Sequence, residues 1–299
     1  MLTSKPTRGT EYQKNARIQT LQKYLDQEKE IDMMMKDVSS YVDSEILKVA
    51  GSDGVLRTAQ LRAIQTELES ITSEWASGMK TMLQSDFEEV CAITKTKWEK
   101  FLKVHVTDKK MLEVAGRSLD NLSPSIVKSA FTKVIYQDGK NLSTRIWDLQ
   151  QETKKDLYTR IATGAVRGES AYDVSKDLKK YLVEPDGGKA RNNALRLARN
   201  ETKNIANSAN TEQMLEARKI TGLAVVPIYQ SSNDGRTRPE HRAANGKFIV
   251  DATMELDSGL MALLGGNIIS QWDADELRDE VNCRCWTIER VFNYEVKKW

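Results

Sequence analysis

The feature that most constrains the fold is a stretch of more than a hundred residues without proline, between Pro6 and Pro124. Proline interrupts helices, so its absence permits long ones. Apolar residues recur in this stretch at steps of three and four, which predicts helices. The first series is Ile18, Leu21, Leu25, Ile31, Met35, Val38, Val42, Ile46 and Val49, and the second is Leu61, Ile64, Leu68, Ile71, Trp75, Met79 and Met82.

Between the two series lies Gly51-Ser52-Asp53-Gly54, which favours a turn. Each predicted helix carries a narrow apolar stripe that needs a partner. We favour an antiparallel hairpin of the two helices within the chain. The alternative is that the stripe docks against another subunit.

More helices follow. Ser123 can cap a helix whose first residue is Pro124, so we expect a helix to begin there. Later helices are predicted through Leu149, Leu157 and Ile161, over 171–181, and through Ala194, Leu197, Ala198, Ile205, Ala209 and Leu215. The breaks between them are a turn at 164–170, a linker at 184–188 and a stop at Gly222.

The sequence changes character after Gly222. Val225, Val226, Ile228 and Tyr229 favour a strand, which Pro227 should place at a sheet edge, and 248–250 and 285–288 favour two more. We therefore predict a mainly α protein with long N-terminal helices and a small C-terminal α+β domain. The predicted segments are a long-helical N-terminal arm (1–130), a helical region (131–222) and the α+β domain (223–299).

Composition narrows the function. The 299 residues carry a net charge of only +2, so the whole chain has no polyanion-binding signature, although DNA binding stays open. Neither a signal peptide nor an apolar run long enough to cross a membrane is evident, so we expect a soluble protein made in the cytoplasm. Three cysteines do not make a disulfide framework, and reduced thiols are expected.

Cysteine and histidine cluster near the C-terminus. Cys283 and Cys285 would leave the same face of a strand, and with Asp234 and His241 they could form a four-ligand zinc site. Their spacing is not that of a familiar zinc finger. The alternative is that the thiols are small buried hydrophobes, Asp234 caps a turn and His241 forms a hydrogen bond within the fold. We expect that this cluster binds no metal, although zinc is possible.

A basic group lies in the same segment: Arg236, Arg238, Arg242 and Lys247. It could meet phosphate, but internal salt bridges to Asp234 and Glu240 are the plainer interpretation. The sequence has no Walker loop, nucleophile elbow or zinc-protease motif. A thiol with His241 could imitate a hydrolase pair, yet nothing identifies its orienting group, so we predict that the chain is not an enzyme.

The C-terminal pattern resembles the phage head morphogenesis family typified by Mu F-like minor head proteins. Its motif corresponds here to Tyr229, Asp234, Arg236, Thr237, His241, Gly246, Cys283, Arg284 and Cys285. Upstream, 142–147, 164–170 and 198–202 are also similar, so that the resemblance covers about 135–299. Two departures are Glu280-Val281-Asn282, where members often have a second His, and Asn200 in place of a Thr.

The resemblance implies a minor structural protein of a tailed-phage head. Such a protein would be associated with the portal vertex inside the capsid and would act in head assembly or genome delivery. Its expected partners are the portal oligomer, a scaffold or major capsid protein, and packaged DNA. We further hypothesise that 1–130 contact the portal or capsid, because the apolar stripe lacks an obvious partner.

Two other classes of function stay open. One is a DNA-binding protein packaged with the genome, whose affinity would depend steeply on salt. The other is a metal-dependent effector or hydrolase, which would need Asp234, His241, Cys283 or Cys285 for turnover.

Overall fold

The computed structural model describes residues 9–133, 139–184, 188–232, 234–255, 258–279 and 285–295. Six long helices come first: α1 (Gly9–Val49), α2 (Leu61–His105), α3 (Lys109–Thr132), α4 (Leu142–Arg167), α5 (Ala171–Val183) and α6 (Lys189–Thr221). The C-terminal part contains β1 (Leu223–Gln230), α7 (Pro239–Ala244), β2 (Phe248–Val250), α8 (Ala252–Glu255), α9 (Ser258–Leu264), β3 (Ile268–Ser270), α10 (Gln271–Asp279) and β4 (Trp286–Glu295). The predicted fold class is confirmed. None of the helices, within the described residues, is long and apolar enough to cross a membrane.

The chain divides into two compact units. Unit 1 comprises Met1–Gln22, Phe87–Lys128 and Asn200–Trp299, and unit 2 comprises Lys23–Asp86 and Ser129–Arg199. These boundaries differ from the predicted segments at 130 and 222, and that three-segment division stays a prediction.

In unit 2, α1 and α2 form the predicted antiparallel hairpin. Gln27 Nε2 donates to Asp86 Oδ2 at 2.8 Å, and the Tyr41 hydroxyl donates to Glu67. The later residue of α1 thus contacts the earlier residue of α2, so the two helices are antiparallel. The apolar residues that this pairing buries include Ile31, Met35, Val38, Val42, Ile46, Leu68, Trp75 and Met79. The stripe therefore has its partner within the chain, and the reason given for docking it on another subunit is removed.

The first three members of the α1 series are placed wrongly by the sequence pattern. Ile18, Leu21 and Leu25 are exposed, whereas Gln13, Thr20 and Gln27 are buried. These glutamines are buried because their amides hydrogen-bond to carboxylates, and Gln13 bonds to Glu289 within unit 1. Apolar spacing alone cannot recognise a face whose buried positions are polar.

The helix expected to begin at Pro124 does not begin there. α3 runs without a break from Lys109 to Thr132, with Pro124 in its interior. The Ser123 hydroxyl is buried and has no hydrogen-bond partner among the described residues. Leu119, Ile126 and Val127 are buried on one face of α3. Burial of this face on both sides of the proline holds the helix together despite the missing N–H.

The later helix boundaries agree with the sequence more closely. Asn141 caps α4, since its side chain accepts from Thr144 N at 2.9 Å. Gly168, with φ of +69°, ends α4, and Ser170 caps α5. α6 stops before Gly222, whose φ is +70°. Of the linker predicted at 184–188, residues 185–187 lie outside the described part of the chain.

The sheet has the order β3-β2-β1-β4. β1 pairs antiparallel with β2 and β4, and β2 pairs parallel with β3, a strand that the sequence did not reveal. The prediction that Pro227 puts β1 at an edge is wrong, because β1 is an inner strand. Tyr229 bonds through its N–H and C=O to the β2 side, so Pro227, two residues earlier, faces that side too. Within the described residues, β1 and β2 pair at one position, Ile228 opposite Phe248, so the missing N–H of Pro227 is tolerated.

Candidate functional site

The Asp234–Thr237 segment is a tight turn closed by its own side chains. Asp234 Oδ1 accepts from Arg236 N at 3.0 Å and from Thr237 Oγ1 at 3.2 Å. Thr237 Oγ1 accepts from Asp234 N at 3.0 Å, and Thr237 N donates to Asp234 O at 3.0 Å. Asp234 thus caps a turn, as the alternative interpretation of this residue expected.

Short helix α7 follows the turn and places His241 in the interior. Pro239 lies in the first turn of α7, where a missing N–H costs nothing. His241 is only 3% exposed, and its Nδ1 lies 3.0 Å from the Tyr229 hydroxyl and 3.2 Å from Cys285 Sγ. Tyr229 comes from β1 and Cys285 directly precedes β4, so the antiparallel pairing of these strands brings Tyr229 and Cys285 close, and α7 adds His241. We call Tyr229, His241 and Cys285 the Tyr–His–Cys cluster.

The structure joins only part of the predicted four-ligand set. His241 and Cys285 are in contact, whereas Asp234 Oδ1 accepts hydrogen bonds from Arg236 and Thr237 in its own turn. Cys283 and Arg284 lie outside the described residues. Across the part of the chain that is described, no three His, Cys, Asp or Glu side chains converge in a way that could hold a metal ion. The expectation that no metal is bound stays a prediction, with a zinc site that includes Cys283 as its alternative.

One member of the basic group, Arg242, bonds to the backbone of the turn. The Arg242 guanidinium donates to the carbonyl oxygens of Asp234 and Thr237 at 3.4 and 3.3 Å, which ties α7 to the turn. Arg236 and Arg238 are exposed. An internal salt bridge from this group to Asp234 or Glu240 stays a prediction.

A buried polar cluster in unit 1 escaped the sequence reasoning. Lys97 Nζ lies 2.9 Å from Glu289 Oε1 and also donates to Asn210 Oδ1. Asn210 Nδ2 donates to Glu289 Oε1 at 2.7 Å, and Gln13 Nε2 donates to Glu289 Oε2 at 3.1 Å. All four side chains are buried. α1, α2, α6 and β4 each contribute one residue to what we call the Lys97–Glu289 cluster.

Burial determines the electrostatics of this cluster. Desolvation lowers the pKa of Lys97, although the attraction of Glu289 acts in the opposite direction. A signal for Lys97 was present in the sequence: Phe87, Val90, Thr94, Lys97 and Phe101 recur at steps of three and four and are all buried. A charged residue in such a series invites a search for its partner, but nothing in the sequence identifies Glu289 as that partner.

The Tyr–His–Cys cluster and the preceding turn lie in the part of the chain that comparison with known proteins identifies. Residues 155–288 match the family model described as "Phage Mu protein F like protein". This region belongs to the Mu protein F-like family. The Mu F-like region includes α5, α6, β1 to β3 and the motif residues Asp234 to Cys285. The match connects this region with phage head morphogenesis.

A curated relative was also found. The chain is 28% identical over 153 residues to the NAD(+)--arginine ADP-ribosyltransferase EFV of Enterococcus faecalis (strain ATCC 700802 / V583). The match covers 51% of this chain but only 29% of that protein. No solved structure matches the chain significantly.

Proposed function

We propose that this chain is a minor structural protein of a tailed-phage head, associated with the portal inside the capsid, where it acts in head assembly or genome delivery. The family match over 155–288 is the observation that carries the proposal. The geometry of the motif agrees with a structural role, because Asp234, Thr237 and His241 use their polar atoms to hold a turn and a small sheet.

The test is the composition of the phage particle. Purified procapsids and virions would be analysed by quantitative mass spectrometry, and neighbouring proteins would be identified by chemical cross-linking. The proposal expects copy numbers comparable to those of the portal subunit and far below those of the major capsid protein, with cross-links to the portal. Absence of the chain from both particles would overturn a structural role, and cross-links confined to the outer capsid surface would overturn the portal assignment.

The hypothesis that 1–130 contact the portal or capsid needs a sharper test than deletion. Residues 87–128 contribute buried side chains to the core of unit 1, including Trp98, Phe101 and Leu119, so that a truncated chain would lose that core. Outward-facing residues of α1 are better targets, and Leu25 and Met33 are both more than half exposed. Changing both to Ser should lower incorporation into procapsids if α1 makes the contact.

Val166 provides the matched control. It is an exposed apolar residue at the end of α4, outside 1–130. Val166→Ser should leave incorporation unchanged. Equal incorporation of the Leu25→Ser/Met33→Ser variant and the unaltered chain would count against a contact through this face of α1.

We also propose that the chain has no enzymatic activity of its own. The ADP-ribosyltransferase activity in the relative's name belongs to a protein of which the match covers less than a third. Incubation of the chain with NAD⁺ and an arginine-containing acceptor should give neither nicotinamide release nor a modified acceptor. Turnover that is lost in His241→Ala would overturn this proposal.

A further inference from the structure

The most exposed tyrosine and the most exposed tryptophan of the described residues lie on two short helices of the Mu F-like region. Tyr172 on α5 is 72% exposed, and Trp272 on α10 is 73% exposed. Large aromatic side chains are mostly buried in folded proteins, and tyrosine and tryptophan are enriched among the residues that contribute most to protein interfaces. Two rings that the chain itself leaves in water therefore indicate surfaces that a partner covers.

Tyr172 belongs to a basic face of α5. Tyr172, Lys176 and Lys179 recur at steps of four and three, so they share one side of the helix, and all three are exposed. Neither lysine has an ion-pair partner within the described chain. We call these three residues the α5 face, and its charge is open to an acidic group.

The acidic residues of the same helix do not cancel this charge. Asp177 Oδ2 lies 2.7 Å from Arg160 Nη1 of α4, which offsets it. Asp173 accepts a hydrogen bond from the Ser170 hydroxyl at the start of α5, where the positive end of the helix dipole offsets its charge. The α5 face therefore stays positive.

Trp272 belongs to an acidic face of α10. Trp272 and Glu276 are four positions apart and exposed, and Asp273 is exposed beside them. Ala274, on the opposite side of the helix, is buried. Residues 271–280 include five acidic side chains and only one basic side chain. We call Trp272, Asp273 and Glu276 the α10 face.

The two faces have opposite charge and a matching layout. Each carries an aromatic ring and a charged group about one helical turn apart. When the faces meet, Glu276 can pair with one lysine of the α5 face while the Trp272 ring covers the stem and ammonium of the other. Two copies of the same face would bring like charges together. The contact that fits is therefore between one face and the other.

We propose that copies of this chain associate head to tail, with the α10 face of one copy docked on the α5 face of the next. Since two different faces meet, every pair leaves one face of each kind open, and copies add until a ring closes or a filament grows. The charges are exposed, so association should weaken as the salt concentration rises. The inference goes beyond the proposed function, because it concerns only copies of this chain in solution.

The test is sedimentation velocity of the purified full chain over a range of concentrations. The unaltered chain should associate beyond a dimer. Trp272→Ser/Glu276→Gln and Tyr172→Ser/Lys176→Gln should each weaken association by about tenfold or more, as expected for the loss of an aromatic anchor and a charge. All four side chains are exposed, so both variants should fold, which circular dichroism checks. Trp147→Ser, the same change at an exposed tryptophan of α4, is the matched control and should associate like the unaltered chain.

An equimolar mixture of the two variants separates this arrangement from any other. Each variant keeps the face that the other has lost, so the mixture should form a dimer that cannot grow. A mixture that stays monomeric, or association that either variant retains in full, would overturn the proposal. An unaltered chain that is monomeric at every concentration would overturn it as well. None of these results bears on whether the chain enters procapsids.

Discussion

At the scale of single residues, the Lys97–Glu289 pair is the most sensitive feature of unit 1. Both side chains are almost fully buried, so each charge depends on the other and on Asn210 and Gln13 for compensation. Removal of one member of a buried pair is far more costly than replacement of both, because it leaves an uncompensated charge in a region from which water is excluded.

We predict that Glu289→Gln lowers the free energy of unfolding by about 2–4 kcal/mol, since Lys97 would remain buried without its counter-ion. Urea unfolding followed by circular dichroism measures the effect. Lys97→Met combined with Glu289→Gln should cost less than the sum of the two single changes. Glu113→Gln, which breaks the exposed pair with Arg117, is the matched control and should leave the midpoint unchanged.

A second prediction concerns Cys91, which is fully buried on α2. Burial, with a smaller contribution from Glu88, raises the pKa of the Cys91 thiol from its ordinary value of 9.0 to about 12. Above pH 9.0 the unfolded chain loses this proton while the native chain keeps it, so the free energy of unfolding should fall as pH rises.

Cys91→Ala should remove this part of the pH dependence while other groups continue to titrate. The difference between the two urea-unfolding curves, taken at successive pH values from 9.0 upward, isolates the thiol. Parallel curves for the two proteins would show that the native thiol titrates as an exposed one does.

At the scale of elements, the packing of α4 against α5 depends on a glycine. A Cβ atom on Gly164 would lie 2.4 Å from Val174 Cγ2, and the β-branched Val174 has little freedom to move away. We therefore predict that Gly164→Ala lowers the free energy of unfolding by about 1–3 kcal/mol through overpacking. Thermal unfolding would measure the change.

Gly116 in α3 provides the opposite case. A Cβ atom there would meet nothing within 4 Å, and the residue lies in the interior of a helix. Gly116→Ala should stabilise the protein by about 0.5–1 kcal/mol. If both substitutions changed the free energy of unfolding in the same direction, contact with Val174 could not be the cause of the effect at Gly164.

Pro124 gives a third prediction at this scale. An alanine at this position would restore the N–H that can bond to the carbonyl of Asp120 and would remove the ring from the helix interior. We expect Pro124→Ala to raise the free energy of unfolding by about 1–3 kcal/mol, after allowance for the greater freedom of the unfolded chain. A loss of stability in urea unfolding would instead show that the ring makes favourable contacts in α3.

The elements also show what sequence reasoning can reach. The hairpin of α1 and α2 and the strands at Val225 and Phe248 follow from local periodicity and glycine turns, and they were predicted correctly. The predictions for Pro124 and Pro227 were wrong for different reasons. At Pro124, packing of the flanking residues of α3 outweighs the proline's preference to begin a helix. At Pro227, the short pairing of β1 with β2 tolerates a proline on an inner strand. Local propensity is a weak guide wherever tertiary contacts act on the same residues.

At the scale of the whole molecule, the remaining question is whether the fold depends on a metal. The Tyr229 hydroxyl and Cys285 Sγ already lie within hydrogen-bonding distance of His241 Nδ1, and unit 1 has apolar clusters around Trp98, Val226 and Tyr229. We predict that the purified protein contains no stoichiometric zinc and that a chelator leaves its thermal midpoint unchanged.

Elemental analysis, the count of reduced thiols and thermal unfolding with and without chelator provide the measurement. Zinc at one atom per chain, lost in Cys285→Ser together with stability, would identify the motif as a structural metal site instead.

The candidate site was predictable only in part. The sequence brought attention to Asp234, His241 and Cys285, and the structure brings His241 of α7 into contact with Cys285, which precedes β4. It did not reveal Tyr229 as the neighbour of His241 Nδ1, because Tyr229 resembles any aromatic residue of a buried strand. The Lys97–Glu289 cluster was missed for a different reason: its members are far apart in sequence, and no local pattern indicates such a pairing.

That separation determines the order in which the protein can fold during translation. Gln13 is among the first described residues to leave the ribosome, yet its acceptor Glu289 follows 276 positions later. Lys97 and Asn210 must likewise wait for β4 before their buried positions become favourable. Until β4 is made, the Lys97–Glu289 cluster lacks its acceptor carboxylate, so synthesis of this strand is the step that completes the core of unit 1.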